Sequence, residues 1–181
     1  FYMQEDFNKA QIVDKEGQTR PLVAKEEKIV VTGKTPADFV SGGITPMQSA
    51  SLLLILVAGI SIYGIRRGKP LWGIDLILFL VAGMAGCILA FLALFSQHPA
   101  VSPNYILFVF HPFHLFCLPF MLSRVRKREI SRYMLVNFAV LTLFIGLWTI
   151  IPQRIPPAVL PLALCLLIRS ASNLILTYKR K

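Results

Sequence analysis

Four residues that can take part in proton transfer or hydrogen bonding lie within one short stretch of the sequence: Ser96, His98, Asn104 and His111. His98 can act as an acid, a base or a donor to an ester carbonyl, because its ring titrates near neutral pH. Asn104 can donate to a developing oxyanion. Both also have structural explanations, since Asn104 precedes a predicted helix as an N-cap and a histidine in a turn is often only interfacial. We predict that these four residues form a lipid or substrate site, with no catalytic nucleophile among them.

His111 and His114 are three residues apart, so they project from neighbouring parts of one helical face. This spacing could begin a metal site, but the sequence predicts no carboxylate at their depth. The other predicted helices offer no axial histidine for a haem. We therefore interpret the two histidines as groups that bond between helices, and we predict no metal and no cofactor.

A second polar group is predicted inside the apolar runs. Asp75 lies roughly 6 Å inside the end of its run, at about 1.5 Å per residue. Asn137 and Asn173 reach a similar depth, and Arg169 lies one turn deeper than Asn173 on the same face. An unpaired Asp or Arg there would cost about 2.5–3.5 kcal/mol. We therefore predict an Asp75–Arg169 pair that locks the helices together, with a proton or ion relay as the alternative.

The apolar runs that carry these residues are long enough to cross a bilayer. Of the 181 residues, 55% are hydrophobic and 15% are charged, and the mean hydropathy is +0.64. Soluble domains are closer to a quarter charged, and a helix needs roughly 20 apolar residues to cross the hydrocarbon core. The sequence therefore predicts an all-α membrane protein, a five-transmembrane-helix bundle with spans at about 47–65, 71–95, 104–122, 133–151 and 158–178.

The net charge of +10 does not indicate a nucleic-acid-binding protein. Residues 1–46 hold six Lys/Arg against seven Asp/Glu, and most other basic residues lie beside the ends of spans. The loops after the first and third spans and the C-terminal tail hold eleven Lys/Arg together, whereas the alternate loops hold only Arg154. Positive loops stay in the cytoplasm. The sequence therefore predicts an exported N-terminus and a cytoplasmic C-terminus.

Residues 1–46 form the soluble-looking part of the chain. The segment QIVDKEGQTRPLV has two short apolar pieces around a turn-forming centre and predicts a β-hairpin. So short a segment buries too little apolar surface to be an independent domain. Because the topology exports it and it carries no signal peptide, we expect residues 1–46 to be the tail of an upstream exported domain.

The order of these features resembles that of a known family. A basic loop is followed by WGID, a span with Gly83 and Gly86, then SQHP, Asn104 and the dipeptide His111–Pro112. With FYMQEDF and DKEGQTRPLV upstream, this order resembles the C-terminal part of the Lnb-like bacterial membrane proteins. The resemblance implies an exported domain with a papain-type cysteine-enzyme fold and a five-helix domain in the bacterial inner membrane. The implied activity is N-acylation of lipoproteins.

The predicted function is therefore that of a membrane domain, which anchors an exported acyltransferase and contributes to a lipid-facing site. The family's nucleophilic cysteine and its histidine belong to the exported domain, so neither maps to a residue here, and we do not expect activity from this chain alone. The predicted partners are the bilayer, a phospholipid acyl donor, lipoproteins and the exported domain. One alternative is a small carrier or channel, which needs a continuous polar path. The other is a non-catalytic assembly subunit, which predicts no phospholipid-sized groove beside the turn.

Overall fold

The computed structural model describes residues 9–13, 17–23, 43–95 and 104–179. The chain divides into two compact units, Phe1–Gly43 and Ile44–Lys181. In the first unit, strand β1 (Gln11–Val13) pairs antiparallel with strand β2 (Thr19–Pro21). The predicted β-hairpin is thereby confirmed.

The described part of the second unit is helical. Its elements in chain order are α1 (Pro46–Arg67), α2 (Trp72–Phe95), a 3-10 helix (Tyr105–Phe108), α3 (Phe113–Phe116), α4 (Leu118–Lys127), α5 (Arg132–Gly146) and α6 (Val159–Tyr178). By length and composition α1, α2 and α6 can each cross a membrane. These three helices coincide with the predicted first, second and fifth spans and confirm them.

The predicted third span is not one straight helix. The segment Tyr105–Phe116, which we call the bent segment, and helix α4 are bent by 78° relative to each other, as in a broken span or a re-entrant loop. Pro112 and Pro119 explain where the helices stop and restart: neither has an amide hydrogen to donate, and Pro119 occupies the first turn of α4, where no donor is needed. Helix α4 then continues to Lys127, so the basic segment SRVRK is helical.

The predicted fourth span is shorter in the structure. Helix α5 ends at Gly146, after 15 residues, and the chain continues in hydrogen-bonded turns to Ile151. Among the described helices, three are therefore long enough to span a membrane, or four when the bent pair counts as one span.

Helix α6 lies at the centre of the second unit and packs against α1 on one side and α5 on the other. More than half of α6 is buried, compared with less than a quarter of α1 or α2. Helix α2 packs its inner face against α3 and α4. Its outer face carries exposed apolar side chains at spacings of three and four residues, namely Ile77, Val81, Met84, Ile88 and Phe91, as expected for a lipid-facing stripe.

Candidate functional site

Asn104 is the described residue nearest to the predicted site turn; Ser96 and His98 lie outside the described residues. The Asn104 side-chain oxygen Oδ1 accepts a hydrogen bond of 3.1 Å from the Ile106 amide and so caps the 3-10 helix. The neighbouring Tyr105 amide donates to Oε1 of Gln153, at 2.7 Å. Oδ1 can only accept, so the amide NH2 group of Asn104 is the part of its side chain that can donate to a substrate oxygen.

Two glycines of α2 allow the bent segment to approach that helix closely. A Cβ atom on Gly86 would lie 2.5 Å from the backbone carbon of His111, and one on Gly83 would lie 2.6 Å from the backbone nitrogen of Leu115. Any larger side chain would force the two backbones apart. These glycines therefore set the position of both histidines relative to α2.

The two histidine rings stack on each other. The centroids of His111 and His114 are 3.9 Å apart, with an angle of 16° between the ring planes. Phe79 of α2 contacts the His114 ring edge to face, at 5.2 Å. His114 is fully buried, whereas His111 is half-buried and its Nδ1 atom has no hydrogen-bond partner among the described residues.

His114 connects the bent segment to α5. Its Nε2 atom lies 2.9 Å from the backbone oxygen of Val109, and its Nδ1 atom lies 2.6 Å from the Tyr133 hydroxyl. A carbonyl oxygen can only accept, so Nε2 carries the proton and donates to Val109. Nδ1 must then accept, and the Tyr133 hydroxyl is the donor. These two bonds form a continuous hydrogen-bond chain from the Tyr133 hydroxyl through His114 to the backbone oxygen of Val109. We call this chain the relay.

A cavity of about 630 Å³ lies beside this relay. We call it the apolar chamber. Its walls come from the bent segment and one face of α5, and they include Leu107, Phe108, Phe113, Val136 and Val140. The same walls contain His111, Tyr133 and Asn137. The buried Oδ1 atom of Asn137, like Nδ1 of His111, has no partner in the described part of the chain. The chamber is thus apolar with a few polar groups, as is typical of ligand sites.

The structure brings Asp75 and Arg169 together. Arg169 donates from Nε to Oδ1 of Asp75 at 2.7 Å and from Nη2 to Oδ2 at 3.0 Å. Its Nη1 atom donates to the Ser61 hydroxyl, and Asn173 donates to Oδ2 of Asp75, each at 3.0 Å. The Ser61 hydroxyl donates its own hydrogen bond to the backbone oxygen of Val57, at 2.7 Å. One buried cluster therefore joins α1, α2 and α6.

The loops group at two ends of the helical unit. At one end, a Cβ atom on Gly68 would lie 3.1 Å from Nη2 of Arg128, and the Thr177 hydroxyl lies 3.5 Å from the backbone oxygen of Glu129. The basic loop residues 66–69 and 124–128 and the end of α6 are therefore neighbours. The contact of Tyr105 with Gln153 marks the other end. Asp75, Arg169 and Asn173 thus form a buried cluster that does not include Asn104, whereas Asn137 lines the apolar chamber together with His111.

Sequence reasoning missed two bonds of α5. These are the Tyr133–His114 bond and a bond of 2.9 Å from the Asn137 amide to the Ser170 hydroxyl. A tyrosine at the end of a span is typical of an interfacial anchor, so its position gave no signal for a buried partner. Among the described residues, no group of three His, Cys, Asp or Glu side chains is arranged to hold a metal.

A comparison with known families gives one match. The family described as the Lnb transmembrane domain matches residues 38–181, which is most of the chain. No curated protein and no solved structure matches the sequence. The match agrees with the apolar helices and with the resemblance carried by WGID, SQHP and His111–Pro112. The chain is therefore a membrane protein that belongs to the Lnb transmembrane-domain family.

Proposed function

We propose that this chain is the membrane domain of a lipoprotein N-acyltransferase of the bacterial inner membrane. It anchors an exported cysteine-type domain and holds the phospholipid acyl donor beside the turn that precedes Asn104. The observation that carries the proposal is the family match over residues 38–181. The exported domain and its activity rest on the resemblance of the sequence to Lnb-like proteins.

The proposed topology has five spans. The bent pair Tyr105–Lys127 is the third span, and α5 with the turns to Ile151 is the fourth. The basic loops sit together at one end of the helical unit, where Gly68 and Arg128 are adjacent. Such loops stay in the cytoplasm. The end with Asn104 and Gln153 then faces the periplasm, and so do residues 1–46.

The proposed donor site lies at the periplasmic end. Asn104 offers its amide NH2 group there as a donor, while its oxygen caps the 3-10 helix. His98, a few residues before it, supplies a second group that can donate to an ester carbonyl. Ser96 belongs to the same turn, and His111 lies deeper in the bent segment. The exported domain supplies the nucleophile, and the turn holds the phospholipid acyl donor.

The carrier alternative receives less support. A carrier needs charges that can meet a passing ion, whereas Asp75 and Arg169 are bonded to each other and almost completely buried. Their arrangement is that of an interhelical lock.

A domain exchange tests the proposal. The full-length protein should restore lipoprotein N-acylation in cells that lack it, as read by mass spectrometry of a lipoprotein N-terminus. A chimera that joins the same exported domain to an unrelated five-span domain should be present at equal abundance and acylate poorly. Full acylation by the chimera would show that this domain serves only as an anchor, and it would contradict the lipid-site part of the proposal.

A further inference from the structure

A second, larger cavity adjoins the apolar chamber at the basic end of the helical unit. This cavity measures about 1190 Å³ and lies between α4 and the start of α5. We call it the basic groove. Cys117, Arg132 and Tyr133 line both cavities. The two therefore adjoin, and together they form an elongated site with one charged end and one apolar end.

The charged end has an excess of positive charge. The lining of the basic groove contains three basic residues, Arg124, Lys127 and Arg132, and one acidic residue, Glu129. Glu129 is already paired with Arg124, at 2.6 Å. Arg132 lies exposed at the junction of the two cavities. The charge at this end therefore complements an anion.

The apolar end is long enough to hold part of one acyl chain. Its α5 wall consists of residues 132, 133, 136, 137 and 140, which lie on one helical face and extend over about 12 Å. That is well under half of a hydrocarbon core of about 30 Å.

We propose that the basic groove and the apolar chamber together bind one anionic glycerophospholipid. Its phosphate lies against Arg132, its glycerol region meets His111 and Tyr133, and an acyl chain fills the chamber between the bent segment and α5. A soluble anion could bind in the basic groove but would leave the apolar chamber empty. A neutral lipid would not compensate the positive charge of the groove. The charged end of this site lies at the opposite end of the helical unit from Asn104, while its apolar end shares His111 with the predicted lipid or substrate site. The site does not depend on acyl transfer.

Native mass spectrometry of the whole chain in detergent measures the binding directly. The chain is titrated with dioleoyl phosphatidylglycerol or with dioleoyl phosphatidylcholine, which have the same acyl chains. The wild type should retain the anionic lipid more tightly. Arg132→Gln should weaken phosphatidylglycerol binding about fivefold and leave phosphatidylcholine unchanged, since one cation near an anionic lipid contributes about 1 kcal/mol.

Matched variants separate the site from general effects. Arg67→Gln removes a cation from the same end that lines neither cavity and contacts the Tyr63 ring instead, so it should bind as the wild type does. Val136→Trp should fill the chamber and weaken both lipids, whereas Leu143→Trp, on an exposed position of α5 outside the chamber, should not. Equal binding of the two lipids by the wild type would overturn the proposal. So would equal effects of Arg132→Gln and Arg67→Gln, a result that stands even if Val136→Trp fails to fold.

Discussion

The guanidinium of Arg169 donates two parallel hydrogen bonds to the carboxylate of Asp75, at 2.7 and 3.0 Å. Arg169 is 1% exposed and Asp75 is fully buried. The two residues are 94 positions apart in the sequence, so this bidentate pair connects the beginning of α2 to the second half of α6. Ser61 and Asn173 complete the cluster: Ser61 accepts from Arg169, and Asn173 donates to Asp75.

Removal of one member of this pair should destabilise the domain strongly. Asp75→Ala leaves a buried guanidinium without its counterion, and we expect a loss of about 3–5 kcal/mol. Addition of Arg169→Leu should recover much of this loss, because no charge then remains buried. Thermal unfolding in detergent measures the effect. Glu129→Ala is the control, because it breaks an exposed pair with Arg124 and should cost no more than about 1 kcal/mol. A double variant less stable than either single one would refute the lock.

The second prediction concerns the stability of variants at the glycines where α2 closely approaches the bent segment. Gly86→Ala places a methyl group against the backbone of His111, and the resulting overpacking should cost about 1–3 kcal/mol. Gly83→Ala should behave similarly against Leu115. Gly59→Ala is the matched control, because nothing lies within 4 Å of its added Cβ and alanine favours a helix interior over glycine by roughly 0.5–1 kcal/mol. Equal unfolding temperatures for Gly86→Ala and Gly59→Ala would contradict the packing described.

The third prediction concerns the relay between α5 and the bent segment. Tyr133→Phe removes the donor to Nδ1 of His114 and should destabilise by about 0.5–1.5 kcal/mol, the net value of one hydrogen bond. Tyr63→Phe, at an exposed position of α1, should be neutral. In a His114→Leu background the Tyr133→Phe change should cost less, since its partner is already gone. An undiminished cost in that background would show that the hydroxyl acts elsewhere.

Much of this fold could be predicted from the sequence because uninterrupted apolar runs define α1, α2 and α6. The Asp75–Arg169 contact could be predicted as well, since these are the two charged groups placed deep in their runs and each needs a partner. The third run contains Pro112 and Pro119, and a proline can interrupt a helix because it has no amide hydrogen to donate. The bend of 78° could not be predicted, because it also depends on how closely Gly83 and Gly86 let the segment approach.

The missed Tyr133–His114 contact has a physical cause. The bend brings His114 beside Tyr133, and neither residue carries a local signal for a partner 19 positions away. The apolar chamber is a consequence of the same bend, because a straight third helix would pack along α5. Periodicity identifies which face of a helix is apolar but not where a broken helix leaves a space.

The proposed topology predicts which loops a membrane-impermeant thiol reagent can reach. In a background with Cys87, Cys117 and Cys165 replaced, Ala100→Cys should be labelled from the periplasmic side and Lys127→Cys should not. Pro156→Cys, which is exposed in the loop before α6, should follow Ala100→Cys. Permeabilisation of the cells should make all three reactive. The opposite pattern would reverse the orientation and remove the donor site from the periplasmic face.

The acylation state of a lipoprotein N-terminus, in cells that depend on the full-length protein, tests the central proposal most directly. His98→Ala and Asn104→Ala should each lower the N-acylated fraction in the mass spectrum, and the double variant should lower it further, without a change in the abundance of the protein. Thr142→Ala, an exposed polar position on α5, is the control and should acylate normally. Full N-acylation by the double variant would contradict the proposal, because the turn would then be a structural connection and the chemistry would belong wholly to the exported domain.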